Sequence, residues 1–208
     1  MNTKHLNYYW IIPILLLLIF LFEYYMTLSY MEEMYKYTNA EVRTEAIIQQ
    51  KNSFYIKFIQ DLVFIVLQFI GCFICLNIGL LFFNYKVKIK NILKAITVSF
   101  LAIVIVQIVV IGIVKFSNLT FTVGSLQSIE DKLYVTNYIN NLNIPTYLLM
   151  PLDIISLTHI VFVLLLAYAI KLLIKKNYLK SLIFTAKTYG VGVAIWFVFA
   201  MVMEMNFN

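Results

Sequence analysis

The chain has 208 residues, 62% of them hydrophobic and 12% charged, with a mean hydropathy of +0.88 and a formal net charge of +6. Soluble domains carry about 25% charged residues, and a domain of this size has too little interior to hide so much apolar surface from water. The composition therefore excludes an ordinary water-soluble fold and requires lipid as the solvent.

Only six glycines and three prolines interrupt the chain, which favours long helices over turns. The apolar runs are continuous, unlike the alternating segments of about ten residues in a membrane β-barrel. The sequence predicts an all-α, polytopic transmembrane helical bundle forming a single domain over residues 1–208. A crossing needs about 20 apolar residues. Five segments meet this requirement, over about 10–29, 61–84, 93–116, 152–173 and 181–203, with outer loops at 30–60 and 117–151.

The first segment, WIIPILLLLIFLFEYYMTLS, is too long for a signal-peptide core and no small-residue cleavage site follows it. It is read as retained. Glu23 falls near its outer end beside Tyr24 and Tyr25, in aromatic-belt company. In the loop that follows, Glu32, Glu33, Glu41 and Glu45 oppose Lys36, Arg43, Lys51 and Lys57. Apolar Met31, Met34, Tyr35 and Val42 are expected to extend the flanking helices beyond the membrane.

The second segment opens at Asp61, a capping residue by type, and carries Gln68. Gly71, Cys75 and Gly79 recur every four residues, a spacing that lets helices approach closely. Cys72 and Cys75 have the spacing of a thiol redox or metal pair, but no further Cys or His lies near them in sequence. They are read as packing residues. The third segment carries Gln107, expected to hydrogen-bond Gln68 across an antiparallel hairpin. In the loop beyond it, Asn118 begins a glycosylation sequon and SIEDKLYVTNYINNLNIP reads as a short interfacial helix.

The fourth segment begins at Asp153, read as a helix cap, with Ser156, Thr158 and His159 following. His159 is read as hydrogen-bonded packing, because it and Asp153 are six residues apart and point to different faces. In the fifth segment Lys187 lies seven residues beyond Lys180, about 10 Å deeper along a helix. The bland reading is a snorkelling side chain. The sharper one is a buried cation that pairs with Glu23 or holds an anionic headgroup. Ala186, Gly190 and Ala194 form a second small-residue stripe.

The two short connections share a phrase, KNILKAI at 90–96 and KNYLKSL at 176–182. Lys86, Lys88, Lys90 and Lys94 fall in or beside the first turn, and Lys171, Lys175, Lys176 and Lys180 in or beside the second, with no acid in either. Lysine-rich short loops mark the cytoplasmic side, which puts the N-terminus in and the C-terminus out. Segments two and three, and four and five, then form a parallel repeated hairpin. The basic charge reflects orientation and contact with anionic lipids at the inner face, and not nucleic-acid binding.

The stretch from Pro151 to Met203 resembles the end of bacterial Yip-domain proteins, five-span relatives of the eukaryotic Yip/Rab-interacting family. The likeness rests on Leu152-Asp153-Ile154-Ile155-Ser156-Leu157, the basic turn, and Leu179-Lys180-Ser181-Leu182. It implies five crossings with the N-terminus inside. Where that family usually carries Trp, this chain has His159 nearby, and its N-terminal segment is only about nine residues. No Rab-type partner is carried over.

No phosphate-cradling loop, nucleophile elbow, metal motif or carboxylate cluster occurs in the sequence. No catalytic, cofactor or metal site is predicted. The favoured function is a non-enzymatic scaffold or accessory subunit of a membrane complex, contacting other membrane subunits. The alternative is a small transporter or lipid-handling protein using the repeated hairpins and a buried Lys187. Abundant Lys, Asn, Ile and Tyr with one Arg suggest an AT-rich genome and a bacterial inner membrane.

Overall fold

The computed structural model describes residues 11–34, 39–117, 128–129, 132–139, 145–152 and 155–207. Among them the regular structure is helical, with one isolated bridge and no strand. The helices are α1 (Ile11–Met34), α2 (Ala40–Phe82), α3 (Ile89–Ser99), α4 (Leu101–Phe116), α5 (Thr136–Ile139), α6 (Thr146–Leu152), α7 (Leu157–Ile174) and α8 (Tyr178–Phe207). Four helical stretches are long and apolar enough to cross a membrane: α2, α3 with α4 (Ile89–Phe116), α7, and Tyr178–Asn206 of α8. The apolar run of α1, Ile11–Phe22, is shorter. Many large apolar side chains point outward, Leu81 at 76%, Ile195 at 66% and Ile78 at 61% exposure, as lipid-facing residues do.

α2 has 43 residues, about 64 Å of helix, roughly twice the hydrocarbon thickness. Its charged first half continues into its apolar second half without a break. The helical extension expected of the 30–60 loop is therefore present. Asp61 lies inside α2, so the cap assigned to it does not exist.

The third segment is not one regular helix. At Phe100 the chain tightens, and the Phe100 N–H is shared by the carbonyls of Ile96 at 3.3 Å and Thr97 at 3.1 Å. Just before it, the hydroxyls of Thr97 and Ser99 donate to Leu93 and Ala95 carbonyls at 3.0 and 2.8 Å. Such back-bonding bends helices without Pro or Gly.

α7 starts later than expected. Ser156 caps it, its hydroxyl accepting the His159 N–H at 3.2 Å. The preceding backbone is tied down by the Tyr134–Ser156 bridge and by Leu157 N–H donating to Leu133 O at 3.0 Å. Asp153, Asn118, Glu130 and Asp131 lie outside the described residues. Of the expected interfacial helix, α5 is the regular part described.

The long helices pack in a ring. α2 touches α3, α3 touches α7, α7 touches α8, and α8 closes on α2. The two lysine-rich turns share one end of this ring, because Phe83 and Tyr85 of the first lie edge-on to Phe184 of α8, at 5.5 and 5.7 Å. Each turn contains a non-glycine residue in the left-handed region, Asn84 at φ 57° and Lys175 at φ 53°. The repeated phrase is only partly equivalent in structure. Asn177 precedes α8 and its side chain accepts the Lys180 N–H at 3.0 Å, whereas Asn91 already lies within α3. Ala95 and Ser181, one repeat apart, are both fully buried small residues.

The core between the helices is Cys72, Leu76 and Leu80 of α2, Ile92 and Ile96 of α3, Phe100, Phe162, Leu166 and Ile170 of α7, and Phe184 and Tyr189 of α8. α1 lies antiparallel to α2, with Phe20 on Phe58 at 4.0 Å and Tyr24 on Phe54 at 4.9 Å. It also packs on α4 and thus accompanies the half of the bundle away from the lysine turns.

Candidate functional site

At the α2–α8 seam the two helices approach each other closely. Gly79 faces Thr188, and Gly192 faces the sulfur of Cys75. On α8 the buried side is Ser181, Thr185 and Thr188. Their hydroxyls donate to the carbonyls of Asn177, Ser181 and Phe184 at 3.1, 2.9 and 2.9 Å. Self-satisfied hydroxyls make these residues small and effectively apolar toward α2.

This corrects both small-residue stripes. Cys75 and Gly79 pack as expected, but a β-carbon on Gly71 would meet nothing within 4 Å. On α8, Ala186 and Ala194 are exposed and Gly190 also has open space around it. Residues four apart turn 40° relative to each other on a helix. A stripe at that spacing therefore rotates away from a straight seam within two steps. The result is that Ala186, Gly190 and Ala194 form a small-residue face turned away from α2, with Ala186 and Ala194 exposed and open space at Gly190 among the described residues.

A polar and aromatic cluster lies where α2, α7 and α8 meet. His159 stacks on Tyr189 with ring centroids 5.6 Å apart and an interplanar angle of 23°. Phe162 contacts both rings, at 6.1 Å from His159 and 5.6 Å from Tyr189. The Tyr189 hydroxyl interacts with the Gln68 side chain of α2, beside Cys72 and Cys75. Tyr189 is thus a partner of Gln68, and Gln107 is half-buried on α4. The contacts described for the His159 side chain are the ring contacts with Phe162 and Tyr189, where the sequence suggested a hydrogen bond. Tyr189 carries no signal in sequence, because nothing there says that α8 lies against both α2 and α7.

Cys72 and Cys75 are both free thiols, Cys72 fully buried. Among the described residues no group of three His, Cys, Asp or Glu side chains could hold a metal ion.

Lys187 stands on the exposed side of α8, in contrast to the buried cation of the sharper reading. Glu23 is on α1, whose packing partners are α2 and α4, and its side chain lies outside the described residues. Below Lys187, Val191, Ala194, Ile195, Val198 and Phe199, all on α8, form a shallow, open apolar depression of about 500 Å³. In comparisons with known proteins, no family model matches the chain, and no curated protein and no solved structure is significantly similar to it.

Proposed function

We propose that the chain is a non-enzymatic membrane scaffold or accessory subunit, of Yip-like organisation, that holds a partner subunit against α8. The observation that carries this reading is the exposed face of Ala186, Gly190 and Ala194. Lipid tails do not drive helices together by hydrophobicity, so close approach at small residues is what gives membrane helices affinity for one another. Within the chain that role is taken by the opposite side of α8, around Thr188 and Gly192. The outward face is free to do the same for another protein.

In this reading the protein sits in a bacterial inner membrane with its lysine-rich turns and N-terminus in the cytoplasm. α1 is the fifth crossing, and the two hairpins are parallel repeats. The transporter alternative needs Lys187 inside the bundle, and its exposed position does not favour it.

The test is a mild-detergent pull-down of tagged protein from native membranes, comparing wild type with Gly190→Leu and Gly71→Leu. A stoichiometric partner kept by wild type and Gly71→Leu, and lost by Gly190→Leu at unchanged thermal stability, supports the reading. A chain that purifies alone in all three, or a partner indifferent to Gly190, overturns it.

A further inference from the structure

The geometry points to a bound anionic phospholipid on the outer side of α8, its phosphate held by Lys180 and Lys187 and an acyl chain in the apolar depression beyond them. Lys180 and Lys187 are both exposed and seven residues apart, two turns on one helix face and about 10 Å along it. Val191, Ala194 and Val198 follow Lys187 at intervals that keep them within about 40° of the same face. One strip of α8 thus presents two cations and then a shallow, open apolar surface. This is the polarity of a phospholipid read from headgroup to tail.

Helix direction strengthens the match. α8 starts at the lysine-rich end, so its side chains lean back toward that end. The Lys187 ammonium is carried toward Lys180 and the headgroup layer while its stem lies on apolar surface. The sequence has no Asp or Glu between residues 154 and 203, so neither α7 nor the apolar part of α8 offers it a carboxylate of its own. A cation just below the headgroup layer favours an anion, and the apolar surface beyond it favours one with a hydrocarbon tail. An acidic residue of a partner helix satisfies the cation but leaves the apolar depression unexplained. Free phosphate does the same. The site shares Ala194 with the small-residue face but does not depend on that face binding a protein.

The test uses full-length protein in nanodiscs of phosphatidylcholine with one quarter phosphatidylglycerol. The protein is extracted into mild detergent, and the lipids it retains are counted by mass spectrometry. Wild type is expected to retain about one phosphatidylglycerol per chain against the excess of phosphatidylcholine. Lys187→Leu is expected to lower that about five-fold, the factor one lysine near an anionic surface supplies. Lys187→Arg is expected to keep it, and Ala194→Trp, which fills the depression with both lysines intact, is expected to lose it. Retention of phosphatidylcholine and phosphatidylglycerol in bilayer proportion by wild type overturns the proposal. So does retention of phosphatidylglycerol by Ala194→Trp at the wild-type level, displaced by millimolar inorganic phosphate, which would leave a phosphate site with no role for the tail. A protein partner lost from native membranes with Lys187→Leu, in place of a lipid, also overturns it.

Discussion

Gly79 and Thr188 meet so closely across the α2–α8 seam that a β-carbon on Gly79 would lie 2.7 Å from the Thr188 Cβ. Real side chains do not pack at that distance, so any larger residue at 79 must push the two helices apart. Gly79→Leu is expected to destabilise the bundle by about 1–3 kcal/mol, the usual range for overpacking. Gly71→Leu and Gly190→Leu, each with open space around it, are expected to leave the fold unchanged. Thermal unfolding in detergent separates the three. Equal loss at all three positions contradicts the assignment of faces.

The Gln68–Tyr189 interaction links α2 to α8 next to the His159 stack. Tyr189→Phe keeps the ring and removes the hydroxyl. A double-mutant cycle of Tyr189→Phe with Gln68→Leu is expected to give a coupling of about 0.6 kcal/mol, typical of hydrogen bonds inside membranes. Tyr189→Ala, which also removes the stack, is expected to cost several times more. Additivity of the two single changes would show that the groups do not interact.

Ser156 holds the first turn of α7 through the His159 N–H. Ser156→Ala is expected to cost about 1 kcal/mol. Hydrogen exchange of the first α7 amides reports the loss directly, and unchanged protection there contradicts the cap.

Both lysine-rich turns are at one end of the ring. Single cysteines at Asn84 and Asn177 are expected to react with an impermeant thiol reagent from the same side of the membrane. A cysteine at Tyr134 is expected to react from the other side. The native Cys72 and Cys75 supply the background, which is expected to be low for fully buried Cys72. Labelling of Asn84 and Asn177 from opposite sides would dismantle the repeated hairpin.

Much of this architecture is legible in the chain. Apolar runs long enough to cross a membrane mark α2, α4, α7 and α8, and the K-N-x-L-K phrase marks the two turns at a common end. Three features were not legible, each for a physical reason. The break at Phe100 comes from Thr97 and Ser99 bonding back to their own helix. Neither Gly nor Pro announces it. The start of α7 moves from Asp153 to Ser156 because bridging at Tyr134 fixes the backbone there. That pairing is long-range. The direction of the small-residue stripes depends on which helices are neighbours, and spacing alone does not encode adjacency. For the same reason Tyr189, which is central to the polar cluster, looked ordinary, and Lys187 stood open between snorkelling and burial because depth along a helix does not specify a face.

The most direct measurement is site-specific photocrosslinking in native membranes from a photoreactive residue at Gly190, with one at Ile78, an exposed position on α2, as the lipid-facing control. A discrete protein adduct from position 190 and none from position 78 is the predicted result. No adduct at 190 above the control would contradict the scaffold reading and leave the outer face of α8 to lipid alone.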